Sequence, residues 1–111
     1  MENYIGKVIN GDCIKVMSEM PESFVDLIVT SPPYGVGIAY DSFNDDMEFD
    51  QYKVFSANWL REAYRVLKDD GRIAINIPYE INRQDKGGRI LMVSEVWQIM
   101  KKHWIQVLWY S

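Results

Sequence analysis

The apolar run Val25-Asp26-Leu27-Ile28-Val29 is nearly unbroken and stops on Thr30-Ser31-Pro32-Pro33-Tyr34, and on either side of it the spacing of apolar positions alternates between strand-like and helix-like. Tyr4 to Asn10 predicts a short strand. Gly11-Asp12 punctuates it, and Cys13 to Met20, apolar at Ile14, Val16 and Met17, predicts a short helix stopped by Pro21. Val25 to Thr30 reads as a parallel strand covered on both faces. Ser31 to Phe49, with Gly35, Gly37 and the acidic Asp45-Asp46, is too polar and irregular for a buried element, and loops of this length in small domains usually carry function. Asp50 caps a helix running to about Leu67, in which Phe55, Trp59, Leu60, Ala63, Tyr64 and Leu67 recur at helical spacing; Phe55, Trp59 and Tyr64 are read as core.

Lys68-Asp69-Asp70-Gly71 ends that helix, and Arg72 to Ile77 is a third strand closed by Pro78. Glu80 to Gly88 reads as a charged loop and Arg89 to Lys102 as an amphipathic helix through Leu91, Val93, Val96, Trp97 and Met100. Trp104 to Tyr110 is a last strand. The sum is four strands alternating with three helices, an open and mostly parallel α/β sheet of Rossmann-like type in a single domain spanning residues 1–111. Ligands of such sheets sit beyond the carboxyl ends of the strands, where Ser31-Pro32-Pro33-Tyr34 falls.

A chain of 111 residues that is 48% hydrophobic and 14% aromatic has ample material for one core. No apolar run approaches the roughly 20 residues that span a bilayer, and the first residues lack the basic and apolar regions of a signal peptide, so a soluble, cytoplasmic protein is expected. The single Cys13 has no neighbouring Cys or His at metal-ligand spacing, which argues against structural zinc. A net charge of −4 and a pI near 4.9 lack the broad basic footprint of an autonomous nucleic-acid binder.

The loop itself is chemically specific. Two successive prolines end the strand, fix φ and remove two N–H donors, and the residue before a proline is pushed to extended conformations, so Ser31 projects from the strand end. What remains is carbonyl oxygens, one hydroxyl and one aromatic face, a surface suited to a flat molecule carrying an amino group. Methylating the exocyclic amine of a nucleobase is difficult because its lone pair is delocalised into the ring. Two acceptors aimed at its hydrogens, the Ser31 hydroxyl and the Pro32 carbonyl, would make that nitrogen more tetrahedral while Tyr34 stacks on a base flipped out of the duplex. Such stacking recovers about 1–3 kcal/mol. Ser31 has no His nearby in sequence to activate it as a nucleophile, so its part is orientation and polarisation.

Gly11-Asp12, the run from Val25 to Tyr34, Trp59 to Lys68 and Gly71 to Pro78 together resemble the amino-directed DNA methyltransferases of restriction-modification systems, over nearly the whole chain. The Ser-Pro-Pro-Tyr form of the family's tetrapeptide implies cytosine-N4 methylation of specific double-stranded DNA sites, with adenine N6 as the alternative target. The resemblance implies S-adenosylmethionine as cofactor, Ser31, Pro32, Pro33 and Tyr34 as the catalytic loop, and Asp12 together with Ser31 on the cofactor side, Asp12 receiving the amino group of its adenine. It also implies a deficit. The family's Phe-x-Gly-x-Gly turn is nowhere in this sequence, and neither Gly35-Val36-Gly37 nor Gly87-Gly88 follows a strand and opens a helix as it must. The chain therefore looks like the catalytic half alone, without the cofactor half or the target-recognition region. In the family's sheet order two strands of the absent half lie between the strand ending at Asp12 and the strand ending at Ser31. A complementing chain, a homo-oligomer or a rearranged sheet is expected to close the gap, and the half alone is expected to be inactive. A non-catalytic assembly subunit is the competing class.

The remaining candidates keep two readings each. Asp12 is equally a helix N-cap for the Cys13 segment. Asn76 and Tyr79, at the end of the third strand, either line the target pocket or serve as caps and turns. Tyr40, Asp41, Asp45 and Asp46 fit solvated loop polarity better than a cover over the base, and Arg83, Lys86 and Arg89 fit a solvated surface better than phosphate contacts. His103 is read as structural. A Pro-Pro-Tyr alone would also suit an exposed peptide ligand, but the Pro-Pro-x-Tyr spacing that WW domains read differs.

Overall fold

The computed structural model describes residues 3–32, 48–78, 80–83 and 88–100. Its centre is a strand, a crossover helix and a parallel strand: β1 (Val25–Thr30), α2 (Phe49–Val66) and β2 (Leu67–Ile75), preceded by the short α1 (Cys13–Ser18). A hairpin of β3 (Glu80–Arg83) and β4 (Gly88–Leu91) then leads into α3 (Met92–Met100). Parallel strands cannot be joined by a tight turn, and α2 is the connection that carries the chain back.

α2 forms because its apolar positions return on one face: Phe49, Tyr52, Trp59, Leu60, Ala63 and Val66 are all buried, and the small polar Ser56 is buried with them. Its first half packs with Ile81, Ile90 and Met92 of the hairpin and α3, around Phe49 and Tyr52. Its second half packs Trp59, Leu60 and Ala63 with Val96 and Met100 of α3, and Ile14 and Met17 of α1 join from one side while Ile28, Ile73 and Ile75 join from the sheet. Phe55 touches both groups and joins them into one core. The cap is Glu48 rather than Asp50: the Gln51 side chain accepts the Glu48 N–H, and Asp50 sits in the first turn, where its charge favours the helix dipole. At the other end the carbonyls of Arg65 and Val66, which have no partner within the helix, accept the N–H groups of Ser23 and Phe24 at 3.0 and 2.8 Å. Ser23 reaches this position in the left-handed region, at φ 49°.

β1 and β2 are not in simple register. Val25 pairs with Leu67 but Leu27 pairs with Arg72, so Lys68 to Gly71 bulge outward and the register shifts by three residues before running on to Thr30 opposite Ile75. Gly71 is required there, since a Cβ would stand 2.9 Å from Leu67 Cδ2 and 3.0 Å from the Lys68 carbonyl. Lys68 bridges the bulge to Asp26 at 2.9 Å, an ion pair that holds its amine above the ordinary lysine pKa.

Several expectations are corrected. Tyr4 to Asn10 is not a strand; Tyr4 anchors it by an edge contact to Phe24 and a hydrogen bond to the Glu19 carbonyl, but Ile5, Val8 and Ile9 are exposed and, among the described residues, no strand lies alongside to complete a ladder. β1 is covered on one face only, with Leu27 and Val29 open to solvent. Glu80 to Gly88 is no plain loop, because Ile81 and Ile90 pair across an antiparallel hairpin and bury against Phe49 and Tyr52. That hairpin takes Arg89 to Leu91 out of the expected helix, which begins at Met92. Tyr64 is exposed rather than core. The class remains α/β, yet among the described residues strict alternation gives way to one parallel pair and one antiparallel pair. The expected strand at Trp104 to Tyr110 lies outside the described residues, as does His103.

Candidate active site

Ser31 and Pro32 leave β1 at its carboxyl end, Ser31 exposed and Pro32 half-buried. The Asn76 N–H donates to the Thr30 carbonyl at 2.9 Å, closing the Thr30–Ile75 pair with which the parallel ladder ends. Asn76 thus follows the last pair on β2 as Ser31 follows it on β1, at the same carboxyl end of the two strands. The sequence placed Asn76 at the end of the third strand as a candidate for the target pocket, but not its register with β1, because a ladder running on from Val25 and Leu67 without the bulge puts Ser31 opposite Ile73. Ile73, Ile75 and Ile77 turn inward onto the α2 core, while Ala74 and Asn76 alternate outward. The edge is therefore anchored from below by aliphatic packing and presents polar groups above it.

Asp12 caps α1. Its Oδ1 accepts the N–H groups of Ile14 and Lys15 at 2.8 and 3.2 Å, and Oδ2 has no hydrogen-bond partner among the described residues. It stands at the start of a helix and at no strand end. Cys13, next to it, is an exposed thiol pushed above its ordinary pKa by partial burial and then by the Asp12 carboxylate. Arg89 pairs with Glu80 at 3.3 Å across the hairpin, in keeping with a solvated surface. Pro33, Tyr34, Tyr40, Asp41, Asp45, Asp46, Tyr79 and Lys86 lie outside the described residues. No group of His, Cys, Asp and Glu able to hold a metal ion occurs among the described residues, and no helix there is long and apolar enough to cross a membrane.

The family model described as DNA methylase, of the N6/N4 type, matches residues 25–110, which takes in β1, the segment that follows it, α2, β2, the hairpin and α3. This chain belongs to the DNA methylase family. Among curated DNA methylases it is 43% identical over 81 residues to the Type II methyltransferase M.MjaVI of Methanocaldococcus jannaschii, a match covering 73% of this chain and 39% of that protein. To the Type II methyltransferase M.HpaI of Haemophilus parainfluenzae it is 39% identical over 88 residues, covering 73% of this chain and 28% of the other. The chain thus spans less than two-fifths of the length of these relatives. Its fold is that of a crystal structure from Thermus thermophilus, described as a candidate DNA modification methylase, with a TM-score of 0.64 at 23% identity over 83% of this chain and 37% of that one. The same Thermus protein complexed with S-adenosyl-L-methionine gives a TM-score of 0.59 at 25% identity, covering 83% of this chain and 38% of the other.

Proposed function

We propose that this chain is the base-holding part of a DNA methyltransferase that methylates the exocyclic N4 of cytosine at specific double-stranded sites. The observation that carries the reading is the placement of Ser31-Pro32 at the carboxyl end of β1 in a parallel strand-helix-strand unit, the end at which α/β folds bind ligands. That strand end is held by the Asn76 to Thr30 bond and by Ile73 and Ile75 packed beneath it.

In this reading the Ser31 hydroxyl and the Pro32 carbonyl accept the two amino hydrogens of a flipped cytosine, pulling the nitrogen toward the tetrahedral shape its lone pair needs for attack, and Tyr34 stacks on the ring. The Ser-Pro-Pro-Tyr form supports cytosine over adenine. S-adenosylmethionine, when bound, supplies an electrophilic methyl group on sulfonium sulfur. The residues present fit part of that cofactor: Asp12 offers an unengaged Oδ2 for an amino group, while the sequence holds no Phe-x-Gly-x-Gly turn. A second polypeptide segment supplies that turn, and it or a second copy covers the open face of β1.

The test is transfer of labelled methyl from S-adenosylmethionine to mixed-sequence DNA, with nucleosides resolved by mass spectrometry. It is run with the chain alone and with the chain plus the part of the Methanocaldococcus relative that it does not span. The expected product is N4-methyldeoxycytidine in the mixture only. N6-methyldeoxyadenosine would move the target to adenine. Absence of methylated nucleosides from both would favour a non-catalytic assembly role.

A further inference from the structure

Ser31 and Asn76 are the first residues past the last pair of the β1–β2 ladder, Thr30 and Ile75; both are exposed, and the Asn76 carboxamide makes no hydrogen bond among the described residues. One step behind them on the outward face are Val29, which is 74% exposed, and Ala74. The edge thus carries a hydroxyl and a carboxamide above an apolar strip. A hydroxyl can accept a hydrogen from an amino group, and a carboxamide can donate two N–H groups as well as accept. Cytosine and adenine each place an amino group beside a ring nitrogen that only accepts. Thymine and guanine place a carbonyl beside a ring N–H at the corresponding positions, the opposite order.

The geometry points to Asn76 as a base-contacting residue that selects amino bases over keto bases, by donating its carboxamide N–H to the ring nitrogen next to the amino group held at Ser31. The inference rests on the base-holding reading of Ser31-Pro32 and assigns that site its chemical filter. Because the position of Asn76 is set by its main-chain N–H, its side chain is free for this contact without cost to the sheet. A site arranged to donate to a ring nitrogen discriminates against a ring that lacks the acceptor, since the donor is then left unpaired against the base.

The experiment is heteronuclear NMR of the isotopically labelled chain titrated with deoxycytidine, with 3-deaza-2′-deoxycytidine, in which that ring nitrogen is a C–H, and with thymidine. Deoxycytidine should shift both the Ser31 backbone amide and the Asn76 side-chain amide. The deaza analogue should bind about tenfold more weakly, corresponding to one lost hydrogen bond, and thymidine should leave the Asn76 side-chain amide unmoved. Asn76→Asp, which removes the donor but keeps the backbone N–H, should weaken deoxycytidine by a similar factor and leave the Thr30 and Ile75 amide resonances in place. Equal binding of deoxycytidine and its deaza analogue, or unchanged affinity in Asn76→Asp, would overturn the inference while the base-holding reading stands. A response at Ser31 with none at Asn76 would do the same. Silence at both residues with every nucleoside would overturn both.

Discussion

Arg65, in the last turn of α2, donates to the carbonyl oxygens of Met17 and Met20, 48 and 45 residues earlier in the chain, while Glu62 holds its Nε at 2.8 Å. One guanidinium therefore fastens the end of a short helix that could not persist by its own hydrogen bonds. Arg65→Met keeps the aliphatic stem and removes the donors, and should cost about 2 kcal/mol, the value of charged hydrogen bonds lost from a partly buried site. The urea midpoint should fall with the slope unchanged. Arg65→Lys should recover less than half of the loss, because an ammonium does not present the planar fork that meets two carbonyls and a carboxylate together.

The bulge in β2 gives a second prediction. Gly71→Ala drives a methyl group to 2.9 Å from Leu67 Cδ2 and 3.2 Å from the Val25 carbonyl, and backbone on two sides cannot yield easily. A loss of about 1–3 kcal/mol is expected from thermal or urea unfolding. Asp70→Ala, at the exposed neighbouring position, should change stability by less than about 0.5 kcal/mol.

At Asp12 two roles separate by substitution. Asp12→Ala removes the cap of α1 and should cost about 1 kcal/mol. Asp12→Asn keeps a capping oxygen but turns a donor toward any amino group, so it should preserve the unfolding midpoint while weakening S-adenosylmethionine binding, measured by calorimetry on the completed enzyme.

Both Asp12 variants also report on Cys13. A carboxylate beside a thiol disfavours the thiolate and raises the thiol pKa, a contribution second to partial burial here. Removing the charge should move the inflection of the alkylation rate against pH to lower pH and speed iodoacetamide labelling near pH 8. A lowered rate would contradict the assigned cause.

The open face of β1 predicts association. Leu27 and Val29 are 58% and 74% exposed on a strand whose other face is packed. In a concentration series by analytical ultracentrifugation the natural chain should rise above 13.0 kDa, while the double variant Leu27→Lys, Val29→Lys should remain at that mass. Unfolding of the double variant should differ by no more than about 1 kcal/mol, because neither side chain is buried.

The elements legible in the sequence were those whose pattern is long or sharply bounded. Val25 to Thr30 is a strand over those same residues, and the Phe55, Trp59, Leu60 and Ala63 periodicity placed α2 to within two residues at its start and one at its end. What pattern could not convey was partnership. Tyr4 to Asn10 has the composition of a strand but, among the described residues, no ladder beside it, and Ile81 and Ile90 become a hairpin only because Phe49 and Tyr52 offer them a surface. Asn76 was named as a candidate at the end of its strand, but its register against Ser31 was hidden for a related reason. It depends on how many residues the chain loses in the bulge at Lys68 to Gly71, and no spacing rule fixes that number. Of the candidate residues, the common position of Ser31 and Asn76 just past the last strand pair came from register alone, and the helix-capping contacts of Asp12 follow from residue type.

The hydrogen bond from the Asn76 N–H to the Thr30 carbonyl has an evolutionary consequence. Every amino acid except proline supplies that N–H, so the strand end tolerates any other residue at position 76 as far as the backbone is concerned. Descendants of this chain can exchange one carboxamide for a carboxylate, a hydroxyl or a hydrocarbon and sample new molecular preferences without first losing the platform on which they act. Architecture and preference are written in different atoms of one residue, and mutation can reach the second without disturbing the first.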